Sequence, residues 1–343
     1  MPFRSVRALI SVAAAAFFAA AAVPIAAQPD PAQLLHDAVD AYAKYSYVGQ
    51  VQNVDYGNNG ADAVLFRIEH RAPDLTRRWY LAPESLYGDS IIGRGDLTYE
   101  IDPHNNRLIV VRDNVLDDQV AMDDNFGLLL RNYRAVPAPE DNVAGRRTTN
   151  VLLINRYTGQ MVMRIALDVQ THLVLQKERF AASGAVTHSM RFEQIRFTDA
   201  IPAAMFDVPT SGYMRVQGPT EGLPSKDLGA IARTAGFRPR SPKYLPEGFV
   251  PVAGEVSVVK GIRTLHVLYS DGLRTVSLFQ NARGAAVDMS RYTSHSAKVR
   301  SHDAKYVQDG ATTLLAWAQG RLHFTLVGEL SRDELLRIAS SVG

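Results

Sequence analysis

Nine histidines are the first residues to weigh as chemistry, and they are scattered along the chain. No pair has the H-x-x-x-H or H-E-x-x-H spacing that sets two imidazoles on one helix face, and there is no cysteine to complete a zinc site. His295 and His302 lie seven apart in a polar stretch and read as solvated. No G-x-S-x-G elbow, phosphate loop or dinucleotide fingerprint occurs. Asp117-Asp118 and Asp123-Asp124 carry cation-ligating oxygens, but such pairs in a loop or helix start are more simply solvated. Arg94-Gly95-Asp96 spells an adhesion tripeptide where a hairpin needs its glycine, so it reads as a turn. Metal, cofactor and catalysis are therefore not expected; binding is.

Two residue groups could bind. The first is basic: Lys226, Arg233, Arg238, Arg240 and Lys243 stand against Asp227 alone, and Arg283, Arg291, Lys298, Arg300 and Lys305 follow later. Residues 28–209 hold 18 Lys/Arg and 24 Asp/Glu, net −6, whereas 210–343 hold 17 and 11, net +6. That asymmetry suits two domains that meet, and equally a basic C-terminal face that steers an acidic partner or a phosphate-bearing glycolipid. The second group is apolar: Trp79, Leu81, Tyr99, Ile101, Leu108, Val110, Ile165 and Leu167 recur at strand spacing. Their simplest role is core beneath a helix. Any part left uncovered would hold acyl chains.

Residues 1–27 read as an address. Arg4 and Arg7 precede an apolar run from Ala8 to Ile25, with a small-residue exit at Ala26-Ala27. The run approaches spanning length, but its alanine richness and the helix start at Asp30-Pro31 favour a cleaved signal over an anchor. Without cysteine there is neither a lipid-anchored N-terminus nor a disulfide. Export is expected.

About 316 residues remain, enough for two domains. Leu34, Leu35, Ala38, Val39 and Tyr42 repeat at helical spacing to about Lys44. Alternation then predicts strands over 47–53, 63–70, 77–82, 89–92, 97–101 and 107–112, with a short crossing helix at 125–133. Longer strands follow over 149–156, 161–168, 172–180 and 187–197. Residues 209–227 are rich in Pro, Gly, Ser and Thr and read as a linker between domains at 28–208 and 228–343. The second domain opens on a short helix at 228–234. Asp271-Gly272, Asp309-Gly310 and Gln319-Gly320 then turn its hairpins, and Ser331 with Glu334 caps a final helix. The fold class is α+β.

Three phrases carry a resemblance. Tyr244 opens YLPEGF, the hairpin reads LYSDGL, and the chain closes FTLVGELSRDELLRIASSVG. Together they resemble the C-terminal domain of the MucB/RseB family, periplasmic regulators of an envelope-stress sigma factor. One helix laid against a long antiparallel meander is similar to the half-barrel of LolA and LppX-type carriers, shared by that family's N-terminal domain. The phrase MRIALDVQTHLVLQKERF fits best, although Leu173-Val174-Leu175 lacks the family's proline.

The resemblance implies an antiparallel half-barrel with a covering helix and a smaller α+β domain. It also implies binding to the periplasmic segment of a membrane-spanning anti-sigma factor, shielding it from proteolysis, with lipid, lipoprotein or glycolipid releasing the grip. Arg238, Arg240 and Lys243 are the expected partner contact. The acyl contacts would be Trp79, Leu81, Ile101, Leu108, Val110, Ile165 and Leu167. No nucleic-acid partner is expected, and self-association is left open. The alternative is a periplasmic lipid or lipoprotein carrier of the LolA type.

Overall fold

The computed structural model describes residues 30–57, 60–95, 97–111, 121–217, 225–259, 261–284, 293–309 and 312–343. The expected signal at 1–27, the pair Asp117-Asp118, and Asp96, Arg291 and Gly310 lie outside the described residues. Helix α1 (Pro31–Lys44) starts as its sequence dictates: the Asp30 carboxylate accepts from the Ala32 amide at 3.0 Å, and Pro31 occupies the first turn. Its buried stripe is Leu34, Leu35, Ala38 and Ala41.

Six strands follow: β1 (Tyr47–Gly57), β2 (Gly60–Arg71), β3 (Leu75–Ala82), β4 (Ser90–Arg94), β5 (Leu97–Asp102) and β6 (Arg107–Val111). Helix α2 (Ala121–Asn132) then carries the chain to the opposite edge. There β7 (Tyr133–Val143), β8 (Arg146–Asn155), β9 (Met161–Asp168), β10 (Val174–Phe180) and β11 (Val186–Phe197) march back until β11 pairs with β1. Strand β12 (Met214–Gln217) closes the order β12-β6-β5-β4-β3-β2-β1-β11-β10-β9-β8-β7. Among the described strands of this sheet, only its pairing with β6 is parallel. The result is a large open curved sheet with few helices.

Some elements differ from expectation. Strand β7 was not expected, because Pro137 and Pro139 lack the amide that a ladder uses; it survives as the outermost strand, with a bulge between Ala138 and Asp141. Helix α2 begins four residues earlier than predicted and ends before Tyr133. Inside the expected linker, Met214–Gln217 forms β12, four residues that only edge pairing supports.

The second domain holds α3 (Leu228–Thr234) and a seven-stranded antiparallel sheet in the order β13-β14-β15-β19-β18-β17-β16. Its strands are β13 (Val250–Val259), β14 (Ile262–Ser270), β15 (Thr275–Asn281), β16 (His295–Val299), β17 (His302–Asp309), β18 (Thr312–Gln319) and β19 (Leu322–Gly328). Helix α4 (Arg332–Ser341) covers one face with Leu335, Ile338 and Ala339, and the Ser331 hydroxyl accepts from the Glu334 amide at 3.2 Å. Strands β13 and β16 were not foreseen; the polar stretch holding His295 pairs with β17.

Candidate functional site: a domain seam, a helix-covered cavity and a basic cleft

The two domains meet where α2 ends. Asn132, 1% exposed, donates from Nδ2 to the Gly248 carbonyl at 3.0 Å and the Asp271 carbonyl at 2.9 Å, and its Oδ1 accepts from the Tyr157 hydroxyl at 2.9 Å. Tyr133 donates its hydroxyl to Asp271 Oδ2 at 2.7 Å. The Asp271-Gly272 turn read from sequence is therefore also a peg. Asp271 caps its own hairpin by accepting from the Leu273 and Arg274 amides at 3.0 and 2.7 Å, and from Arg274 Nε at 2.9 Å. Burial pushes the Tyr133 hydroxyl pKa well up, and the neighbouring Asp271 charge pushes it further.

At φ +94°, Gly272 sits so close to α2 that a Cβ would lie 2.3 Å from the Leu129 amide nitrogen. Beside this contact a cleft of about 500 Å³ opens between the domains, lined by Tyr56, Met161, Phe180, Leu273 and Leu330 and spanned by an Arg179–Glu329 ion pair.

Strand pairing sorts the expected acyl contacts into two sets. The register Trp79↔Ser90↔Ile101↔Leu108 and Ile92↔Tyr99↔Val110 places Trp79, Ile101, Leu108 and Val110 on one face, while Leu81 is the unpaired residue of a bulge opposite Leu65 and Phe66. Ile201 and Phe206 close that face, where Ile101 and Leu108 are 7% and 1% exposed. Ile165 and Leu167 lie instead on the face under α1, packed with Val51, Phe66 and Phe192. The expected single apolar surface is thus two surfaces, because residue type and alternation do not reveal which parity of each strand points inward.

Under α1 a small cavity of about 50 Å³ remains, lined by Tyr42, Val51, Phe66, Arg78, Met190 and Phe192. Arg78 lies over the Phe66 ring at 5.5 Å, and its Nε is buried without a partner. The helix is clasped over this cavity by His70. His70 Nε2 is 2.8 Å from the Tyr42 carbonyl, which can only accept, so Nε2 carries the proton. Nδ1 then accepts from the Thr76 hydroxyl at 2.8 Å, and that oxygen accepts from the Tyr42 hydroxyl at 2.7 Å. Burial pushes the His70 pKa down to about 4.

The third feature is basic. Arg238 and Arg240 line a cleft of about 560 Å³ with Pro239, Gln319, Arg321 and Leu322. Arg321 comes from the β18–β19 turn, where Gly320 at φ +65° reverses the chain. The structure thus brings Arg238 and Arg240 together and adds an arginine that sequence reasoning missed. Lys243 is exposed beside the cleft, its amide donating to the Ser341 carbonyl at 3.3 Å. Among the described residues, none of these four cations is held in an ion pair.

A model of the MucB/RseB N-terminal domain matches residues 30–210, more than half of the chain. The chain belongs to the MucB/RseB family. Residues 239–342 match a second family, a domain of unknown function, DUF4367.

No curated protein matches the sequence. Among solved structures, MucB in complex with MucA(peri) is 18% identical, with 92% of this chain and 98% of that chain covered and a TM-score of 0.61. The Pseudomonas aeruginosa MucA/MucB complex is 17% identical, covering 91% and 98%, with a TM-score of 0.62. MucB alone gives 17% identity, 92% and 98% coverage and a TM-score of 0.55. This MucB/RseB-family chain thus shares a two-domain fold with MucB along nearly its whole length. Among its described residues no helix is long and apolar enough to cross a membrane.

Proposed function

We propose that this chain is a periplasmic regulatory subunit that binds the periplasmic segment of a membrane-spanning anti-sigma factor and shields it from proteolysis. The observation that carries this reading is family membership joined to whole-length likeness to MucB, a protein solved in complex with MucA(peri). The contact is assigned to the basic C-terminal domain through Arg238, Arg240 and Lys243, whose side chains lack carboxylate partners among the described residues. Lipid or lipoprotein regulates the grip from the helix-covered face, the side that holds Ile165 and Leu167.

The carrier alternative is the weaker reading. A cavity of about 50 Å³ is far below the roughly 300–1,000 Å³ of pockets that enclose a ligand. Acyl cargo would enter only after α1 lifts, which suits an occasional signal better than a standing load.

A pull-down of the exported protein from envelope extracts tests the reading directly. Recovery of one single-span anti-sigma factor is expected, and its absence counts against the proposal. Near-stoichiometric acylated cargo in the purified protein would favour the carrier. Reversing Arg238, Arg240 and Lys243 to Glu should weaken partner binding, with a loss that shrinks as salt rises, because exposed charges more than about 8–10 Å apart are screened at physiological ionic strength.

A further inference from the structure

The basic cleft has a property that net charge alone does not require. Its three cations are all arginines, and each stem leaves a backbone position that is held still. Arg240 donates its amide to Gln280 Oε1 at 2.8 Å, and Gln280 is 1% exposed. Pro239 fixes φ between Arg238 and Arg240. Arg321 sits in a tight turn whose flanks pair as Gln319↔Leu322. Guanidinium groups present planar forks that match a carboxylate with two parallel hydrogen bonds, whereas an ammonium acts as a point charge. Three such guanidinium-bearing residues line one concavity together with the C-terminal residue Gly343, and among the described residues none of the three is engaged in an ion pair.

We infer that Arg238, Arg240 and Arg321 form a carboxylate-reading cleft for an acidic peptide, recognising the geometry of its side chains and not only their charge. The identity of the peptide as an anti-sigma segment rests on the reading above; the carboxylate chemistry does not. Arg321 is the specificity-determining residue of the set. It approaches from the β18–β19 turn, whereas the other two lie in the segment between α3 and β13, so a single acidic stretch must bridge the N-terminal arm of the domain and that turn.

The test keeps charge constant and removes the forks. The full exported chain and its Arg238→Lys/Arg240→Lys/Arg321→Lys variant are titrated with a fluorescein-labelled hexaglutamate peptide, with hexaglutamine and inorganic phosphate as controls. Hexaglutamate should bind the wild type, with at least a tenfold loss in the lysine variant and a comparable loss in Arg321→Ala. Hexaglutamine should not bind. Equal affinity in wild type and lysine variant overturns the inference, as does no hexaglutamate binding to the wild type. Displacement of hexaglutamate by millimolar phosphate as effective as by free glutamate peptide would also overturn it, since the cleft would then be a general anion site. If hexaglutamate behaves as expected but the anti-sigma segment does not bind, the cleft stands and the proposed partner falls.

Discussion

The Tyr133 hydroxyl and the Asp271 carboxylate meet at 2.7 Å although 138 residues separate them in the chain. One belongs to the first residue of an edge strand, the other to a hairpin turn, and their bond ties the N-terminal sheet to the C-terminal domain. Tyr133→Phe removes the donor and leaves a buried oxygen on Asp271 with one partner fewer. The expected cost is about 1–3 kcal/mol. Urea unfolding should show it either as a lower midpoint or as a split into two transitions. An unchanged single transition would mean the bond adds nothing to domain docking.

A sharper test of the same seam is Gly272→Ala. The new methyl would meet the α2 backbone at 2.3 Å and a φ of +94° disfavours any side chain, so the hairpin cannot seat. Limited proteolysis should separate the two domains faster than in the wild type, while each domain keeps its protected core. Equal cleavage rates would show that the turn relaxes without undocking.

His70 makes stability depend on pH. Its ordinary pKa of 6.5 falls to about 4 in the fold, so between these values the unfolded chain binds a proton that the folded chain refuses. Stability from this group is therefore complete above about pH 6.5 and declines as pH drops toward 4. At 1.36 kcal/mol per pKa unit the total is roughly 3 kcal/mol. Thermal melts of the wild type across pH 7 to 4 should fall more steeply than those of His70→Asn, which starts less stable. Parallel profiles would remove His70 as the cause.

Leu108 and Ile165 lie on opposite faces, and the difference is measurable. Leu108→Ala empties a site closed by Ile201 and Phe206 and should cost about 2–5 kcal/mol without altering any response to added acyl chains. Opening the other face with Tyr42→Ala, which breaks the hydroxyl contact to Thr76, should raise uptake of a fluorescent fatty acid. If Leu108→Ala changes uptake and Tyr42→Ala does not, lipid enters by the outer face.

Much of this architecture was legible because local rules agree with the final packing. Asp30-Pro31, Asp271-Gly272, Gln319-Gly320 and Ser331 each mark the start or reversal of an element where they should. What alternation could not supply was parity between strands. Trp79 and Ile165 look alike in sequence, but the pairings Trp79↔Arg67↔Gln50 and Ile165↔Lys177↔Met190↔Asn53 reach β1 at residues of opposite parity. Asn132 and Arg321 were hidden for another reason. A polar residue ending a helix and a charged residue in a turn are ordinary at the surface, and only the opposing domain or the neighbouring hairpin gives them a role.

The prolines that disguised β7 also have a consequence at higher concentration. An open sheet of twelve strands ends in a row of unpaired donors and acceptors, a template on which a neighbour's strand could polymerise. Pro137 and Pro139 delete two donors from that row, and the bulge before Asp141 twists it out of line with any straight incoming chain. The edge therefore resists growth into fibrils, which lets so broad a surface stay open in a crowded envelope.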